Sequence, residues 1–397
     1  MQTRTRSPLF CAVAAFVAGQ SLFLLVMPPL ARSLGFSDLQ AGLIVSLSAL
    51  LLMISAPLWG HLSDRLGRRP VLNLAIGISA IALAAIGCVI HLRLSGVLSA
   101  SIALISIAAF RGLQVLLAGG MFPAAQGYVA DTTKRPDRTR AMGLLGAMTG
   151  LGGVAGAALT FGVASNHPAI AFGFVALVLT CALIAINKTH FPEIRSVEIP
   201  ENAENLGKAF NISWPYMAIT MVSFAGYSIL QQVTAIRMQD TLGFTVDVSI
   251  AKSGAAFLFT AIVMVLTQII LLRLPTLTPS TLLAAGALIS IISILLNTLA
   301  TSYVVIFFSL LILGIGLGLM LPGNMAGLSL DNAAGTQGKA AGLNILAQGI
   351  GQTIGPILAS YSYGISRLQP FKISCFLFIL ALGIALYLNL RSIKRHR

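Results

Sequence analysis

Twelve apolar runs, each about twenty residues or longer, follow one another from residue 8 to residue 390 with only short polar stretches between them. An α-helix rises about 1.5 Å per residue, so each run matches the roughly 30 Å hydrocarbon core of a bilayer. In lipid every backbone N–H and C=O has to be satisfied internally, which leaves the helix as the form such runs can take. The runs lie near 8–31, 38–60, 70–92, 96–127, 141–164, 168–187, 212–237, 249–272, 279–299, 303–329, 339–362 and 369–390. We therefore expect an all-α membrane protein with twelve transmembrane helices. Composition closes the alternative: 57% of the 397 residues are hydrophobic and 9% are charged, against about 25% charged in a soluble globular chain. No stretch between the runs is long enough for a separate soluble domain.

A net charge of +14 suggests nucleic acid until its distribution is considered. Eighteen of the 25 Lys and Arg fall on the side that holds the N-terminus, in the two tails and five loops. Six lie at or near the opposite ends (Arg32, Arg93, Arg237, Lys252, Arg367 and Lys372), and Arg111 stands inside a run. Positive charge accumulates on the cytoplasmic side of a membrane protein, so both termini are expected there and no nucleic-acid partner is implied. The first run is too long for a signal peptide and lacks a small-residue cleavage site, so it is expected to stay as an anchor. Cys11, Cys88, Cys181 and Cys375 all sit inside apolar runs, with neither a disulfide framework nor metal-ligand spacing. No nucleophile, base and orienting group are set out together, and no phosphate-binding loop is present. No enzyme, cofactor or metal is expected.

Two charged loops and one glycine-rich run carry the motifs. Gly60-His-Leu-Ser-Asp-Arg-Leu-Gly-Arg-Arg-Pro-Val-Leu72 is the densest charge cluster in the first half, holding Asp64, Arg65, Arg68 and Arg69. Gly60 and Gly67 allow a close approach and a turn that a Cβ would obstruct, and Pro70 suits the first turn of the next helix. The order Gly-x-Leu-x-Asp-Arg-x-Gly-Arg-Arg resembles the loop between helices two and three of the major facilitator superfamily. A second loop from Tyr128 to Gly143, with Asp131 and Arg140, resembles the loop between helices four and five of tetracycline-type and other drug exporters of that superfamily. In the fifth run Gly143, Gly152 and Gly156 have the spacing of the so-called antiporter motif of proton-coupled exporters. The motif's expected proline is Ala157 here, and its glycine pair is Thr160-Phe161. Small residues at such intervals also serve plain helix packing in lipid, and the sequence leaves the two roles open.

The chain repeats itself. Met121-Phe-Pro123 recurs as Met320-Leu-Pro322, and Gly143, Gly152 and Gly156 recur as Gly342, Gly351 and Gly355, all at an offset of 199 residues. The second copy has the motif's proline, Pro356. Leu34-Gly-Phe-Ser37 recurs as Leu242-Gly-Phe-Thr245 at an offset of 208. The longest polar stretch separates the copies. We expect an N-terminal six-helix half over 1–187, a cytoplasmic linker over 188–213 and a C-terminal six-helix half over 214–397.

The resemblance implies two pseudo-symmetric halves with a substrate site between them near the bilayer midplane. It also implies that the first and fourth helices of each half line the pathway. On that basis Gln20, Arg111, Gln114, Tyr227, Gln231, Gln232 and Asn324 are candidate substrate contacts, with Lys252 at the outer end. Asn344, Gln348 and Gln352 are spaced by four and make one polar stripe, which serves either a ligand or interhelical packing. Arg111 is the sharpest signal, because a charge inside a span is expensive and marks a functional site when it faces a cavity. No Asp or Glu lies deep in any run. That points to an anionic, zwitterionic or neutral small molecule, such as a carboxylate-bearing siderophore, rather than a lipophilic cation. Asp64, Asp131 and Arg140 are expected to form an inner gate. The overall expectation is a monomeric exporter coupled to protons. Multidrug efflux of lipophilic compounds and proton-linked uptake on the same fold are the alternatives.

Overall fold

The computed structural model describes residues 2–133, 138–188, 204–271, 277–332 and 337–395. The described residues are helical almost throughout. In order, the helices are α1 (Gln2–Ala31), α2 (Asp38–Leu66), α3 (Arg68–Leu94), α4 (Ala100–Ala118), α5 (Met121–Thr132), α6 (Arg138–Leu159) and α7 (Pro168–Lys188). There follow α8 (Glu204–Leu242), α9 (Val246–Leu271), α10 (Pro279–Thr298), α11 (Tyr303–Asp331), α12 (Gln337–Ile365) and α13 (Gln369–Arg395). They divide into two compact units. One holds α1 to α7 together with Val246–Ala255 at the start of α9; the other holds α8, the rest of α9 and α10 to α13. Of the expected linker over 188–213, residues 189–203 lie outside the described residues, and from Glu204 onward the chain is already α8.

Among the described residues, eleven stretches are long and apolar enough to cross a membrane, α4 and α5 counting as one. The twelfth expected span is α12, whose polar stripe and glycines keep it below that threshold. The fourth span breaks where α4 gives way to α5 at Gly119 and Gly120. Pro123 has no N–H to offer the Gly119 carbonyl, so the helical ladder cannot run through. Two side chains of α2 take up the carbonyls beside the break: Ser55 Oγ donates to Val115 O at 3.1 Å, and Trp59 Nε1 donates to Leu116 O at 2.7 Å.

Helix starts follow local chemistry. Ser37 caps α2 in a capping box, its hydroxyl accepting from Gln40 N at 3.2 Å while Gln40 Oε1 accepts from Ser37 N at 2.8 Å. Arg32 pairs with Asp38 at 2.6 Å just before it. Gly67 joins α2 to α3 at φ +93°, a conformation that favours glycine, so the turn expected there is present. Gly60 is less constrained, since an added Cβ would lie 3.5 Å from Pro123, an ordinary contact. The proline pair of the first run ends its helix late: α1 passes through Pro28 and Pro29 and stops at Ala31.

The glycine spacing resolves into two kinds of position. In the first unit α6 lies directly on α1: a Cβ on Gly152 would run into the Ala14 carbonyl, and one on Gly156 would come within 2.6 Å of Ser21 Cβ. Ser21 Oγ donates to Gly153 O across the same seam at 3.2 Å. In the second unit Gly351 meets the Met221 carbonyl, and a Cβ on Gly355 would lie 2.7 Å from both Ala225 O and Ser228 Cβ. The contact is thus repeated, α1 mapping onto α8 with a shift of 207 residues and α6 onto α12 with the shift of 199. Gly143 and Gly342 meet nothing within 4 Å, so close packing accounts for two members of each triplet and not for the third. After α6 the chain forms a π-helical turn over Thr160–Ala164, where the motif's glycine pair is missing.

Candidate functional site

In the first unit Gln20 and Phe23 lie three residues apart on α1, as do Arg111 and Gln114 on α4, so each pair shares one helix face. The two faces meet around the guanidinium. Arg111 is 3% exposed and donates from Nη1 to Gln114 Oε1 at 2.9 Å and from Nη2 to Gln20 Oε1. Its Cζ lies 4.3 Å from the centre of the Phe23 ring, and Phe23 meets Phe172 edge-on at 6.4 Å. Both amides turn their oxygens to the arginine. Gln20 Nε2, Gln114 Nε2 and Arg111 Nε are all buried without a hydrogen-bond partner. Among the described residues Arg111 has no carboxylate within salt-bridge distance. The cluster is one fixed positive charge with three unmet donor groups, in surroundings where an unmet buried donor costs about 1–3 kcal/mol. Its free valences suit an acceptor-rich, negatively charged group.

The second unit gathers a different set. Tyr227 and Asn324 line a cavity of about 250 Å³ between α8, α9 and α11, with Thr220 and Ser223 beside them. Asn324 Nδ2 donates to Thr220 Oγ1 at 2.7 Å, and Thr220 Oγ1 donates to Asn344 Oδ1 at 2.7 Å, so the first residue of the α12 stripe joins the group. Gln348 is half-buried one turn further along. Gln232 donates to Ser360 Oγ at 3.2 Å, linking α8 to α12, while Gln231 beside it is half-buried. Lys252 is exposed on the stretch of α9 that belongs to the first unit. Arg237 is buried, but it caps the end of α10. Its guanidinium donates to the carbonyls of Asn297, Thr298 and Ala300 at 2.6 to 3.1 Å and lies 4.6 Å over Phe371.

Among the described residues, Asp64, Arg68 and Asp131 of the two charged loops meet at one end of the first unit. Arg68 sits between two carboxylates, 2.6 Å from Asp64 and 3.3 Å from Asp131, and also donates to Ser63 Oγ at 3.2 Å. Gly127 makes the room: a Cβ there would lie 2.6 Å from Arg68 Nε. Arg65 is exposed, and Arg69 donates to Asn187 O at 3.2 Å, tying α3 to the end of α7. The side chain of Arg140 lies outside the described residues. In the second unit Tyr216 takes the place of Arg68, donating to Asp331 at 2.9 Å, and Gly327 makes room for its ring. Pro356 is buried in α12 beside Gly355.

Four participants escaped the sequence. Phe23 carried a weak signal, being one turn from Gln20. Thr220 and Ser223 resembled the hydroxyls that bond to their own helix, and Gly127 is one of 38 glycines.

Residues 9–356 match the Major Facilitator Superfamily. The chain is 26% identical over 379 residues to Multidrug resistance protein 1 of Bacillus subtilis (strain 168), covering 93% of this chain and 91% of that one. It is 27% identical over 360 residues to the class D tetracycline resistance protein of Salmonella ordonez, covering 87% and 86%. Among solved structures, an inward-facing, occupied bacterial homologue of the human lysosomal transporter Spinster superposes with a TM-score of 0.73. That match has 17% identity and covers 97% of this chain and 95% of the other, a likeness of fold.

Proposed function

The chain belongs to the Major Facilitator Superfamily, and on that footing we propose that it is a proton-coupled exporter of a small organic anion or zwitterion. It transports small molecules across a membrane with its multi-pass helical bundle. The export reading draws on the resistance proteins it resembles and on the glycine spacing of α6. Those relatives are bacterial, and a bacterial inner membrane with both termini in the cytoplasm fits the charge distribution.

The observation that carries the substrate reading is the donor cluster around Arg111. A buried guanidinium bonded only to neutral amides, with three further N–H groups unanswered, is an expensive arrangement in a membrane span unless an anion completes it. A carboxylate supplies two oxygens with about four acceptor sites, enough for all three. Alternating access then exposes that site to each side in turn, with the Asp64, Arg68 and Asp131 network as part of the inner gate. Protons enter through a titrating substrate or a peripheral aspartate, since no carboxylate lies deep in a span.

Transport in proteoliposomes with an imposed pH gradient tests this reading. The panel is an anionic siderophore, a neutral drug and a cationic dye. Gradient-driven movement of the anion, lost in Arg111→Ala, is the expected result. Movement of the dye alone would overturn the anion reading and leave efflux of lipophilic compounds, which the apolar walls of the second unit's cavity favour.

A further inference from the structure

One arginine of the first charged loop takes no part in the gate, and we propose that it and Lys188 hold the phosphate of an anionic phospholipid at the end of the seam between α3 and α7. The site is independent of what the protein carries.

Arg68 and Arg69 are neighbours with different surroundings. Consecutive residues on a helix point about 100° apart, and Asp64 and Asp131, which bracket Arg68, do not pair with Arg69. Arg69 turns instead to α7, where its Nη2 donates to the Asn187 carbonyl at 3.2 Å, which brings the guanidinium beside Lys188. Asn73 Nδ2 donates to Asn187 Oδ1 at 2.8 Å and ties the two helices together at the same point. The carbonyl is neutral and engages one of the guanidinium's five N–H donors. Lys188 is exposed and has no hydrogen-bond partner among the described residues. Among the same residues neither cation has a carboxylate within salt-bridge distance.

The apolar surface leading to this pair has the length of one leaflet. Leu177, Cys181, Ile184 and Lys188 are spaced by four, three and four, so they share one face of α7, and all four are exposed. That face is about 16 Å long at 1.5 Å per residue, close to half of the roughly 30 Å hydrocarbon core. An acyl chain lying along it carries its phosphate to the level of Lys188 and Arg69. Basic pockets between transmembrane helices take anionic head groups in this way. A zwitterionic lipid brings an ammonium of its own, which two unanswered cations repel, so a head group without one is selected. A free phosphate lacks the chain that covers the α7 face.

The test uses the full-length chain in phosphatidylcholine vesicles, with bimane on Cys181 and with Cys11→Ser, Cys88→Ser and Cys375→Ser removing the other thiols. Quenching by phosphatidylglycerol that carries an acyl-chain nitroxide is compared with quenching by phosphatidylcholine that carries the same nitroxide. We expect phosphatidylglycerol to be favoured by about tenfold. Lys188→Gln removes no contact within the described residues and should cut that preference by about fivefold, the effect of one cation at a bilayer surface. Lys188→Arg should keep the preference, and Arg69→Gln combined with Lys188→Gln should make the two lipids equal. Equal quenching in the wild type, or a preference unchanged by Lys188→Gln, would overturn the proposal. So would an equal loss in Arg391→Gln, which removes a positive charge near the end of α13 in the second unit. Displacement of the lipid by soluble glycerol phosphate would overturn it as well, because the site would then be one for free phosphate.

Discussion

Tyr216 donates to Asp331 at 2.9 Å over the bare face of Gly327. In the first unit the same arrangement is built from Arg68, Asp131 and Gly127, with a guanidinium in place of the phenol. In one unit the donor to this carboxylate is a guanidinium shared with a second carboxylate, and in the other a phenol donates to it. Gly127→Ala should place a methyl against a guanidinium pinned on two sides. The expected cost is about 1–3 kcal/mol of stability and most of the transport activity. A proteoliposome assay paired with a thermal melt checks it; wild-type transport by the variant would show that Arg68 is free to move.

Asp64→Asn should impair transport while leaving the amount of folded protein nearly unchanged. The Asp64 side chain is 44% exposed, and its 2.6 Å pair with Arg68 crosses the Gly67 turn between α2 and α3. Such a pair is worth at most about 1 kcal/mol. Stability alone therefore cannot account for a large loss of transport. Near-wild-type transport by Asp64→Asn would remove this carboxylate from the gate.

The glycines of α6 should separate by substitution. Gly152→Ala and Gly156→Ala press a methyl into the backbone of α1 and should lower stability by about 1–3 kcal/mol each, read as a lower melting midpoint. Gly143→Ala meets open space and should be neutral or gain up to about 1 kcal/mol from helix propensity. A drop in stability at Gly143 equal to that at Gly156 would refute the division. Loss of transport in Gly143→Ala without a drop in stability would give the antiporter spacing a role beyond packing.

Arg111 offers a test whose sign distinguishes function from bracing. If the guanidinium is held for an anion, Arg111→Leu removes a buried and incompletely answered charge. The substrate-free protein should then melt at the same temperature or higher. Arg111→Lys should not restore anion export, because a point charge cannot hold both amide oxygens as the planar fork does. A fall of many degrees in Arg111→Leu would return the residue to a structural role.

The succession of spans was legible because lipid permits few solutions: an apolar run of twenty residues has to be a helix, whatever its neighbours. Arg111 was legible for the same reason, since nothing in hydrocarbon hides a charge. The break at Gly119 and Gly120 follows from Pro123, but the bonds that Ser55 and Trp59, about sixty residues earlier, give to the Val115 and Leu116 carbonyls beside it could not be read from the chain. Nor could spacing tell Gly143 from Gly152. Both read as small residues on a helix, and only the position of α1 gives one of them a neighbour. Thr220 and Asn344 show the same limit, being ordinary polar residues 124 positions apart until the fold brings them within 2.7 Å.

The polar stripe of α12 bears on how the chain enters the membrane. This helix falls short of the apolarity of the other spans, and α8, its most extensive packing partner, is the least apolar of those that qualify. Each covers the other's weakness: Thr220 meets Asn344, Gln232 meets Ser360, and the glycines of α12 lie on the backbone of α8. A segment of this kind gains little by partitioning into lipid alone. During synthesis α8 emerges more than a hundred residues ahead of α12, so the two would have to be shielded in turn and released as a pair. Biogenesis of the second unit then hinges on its last helices, and a chain truncated before α12 would leave α8 without the surface that makes it a membrane helix.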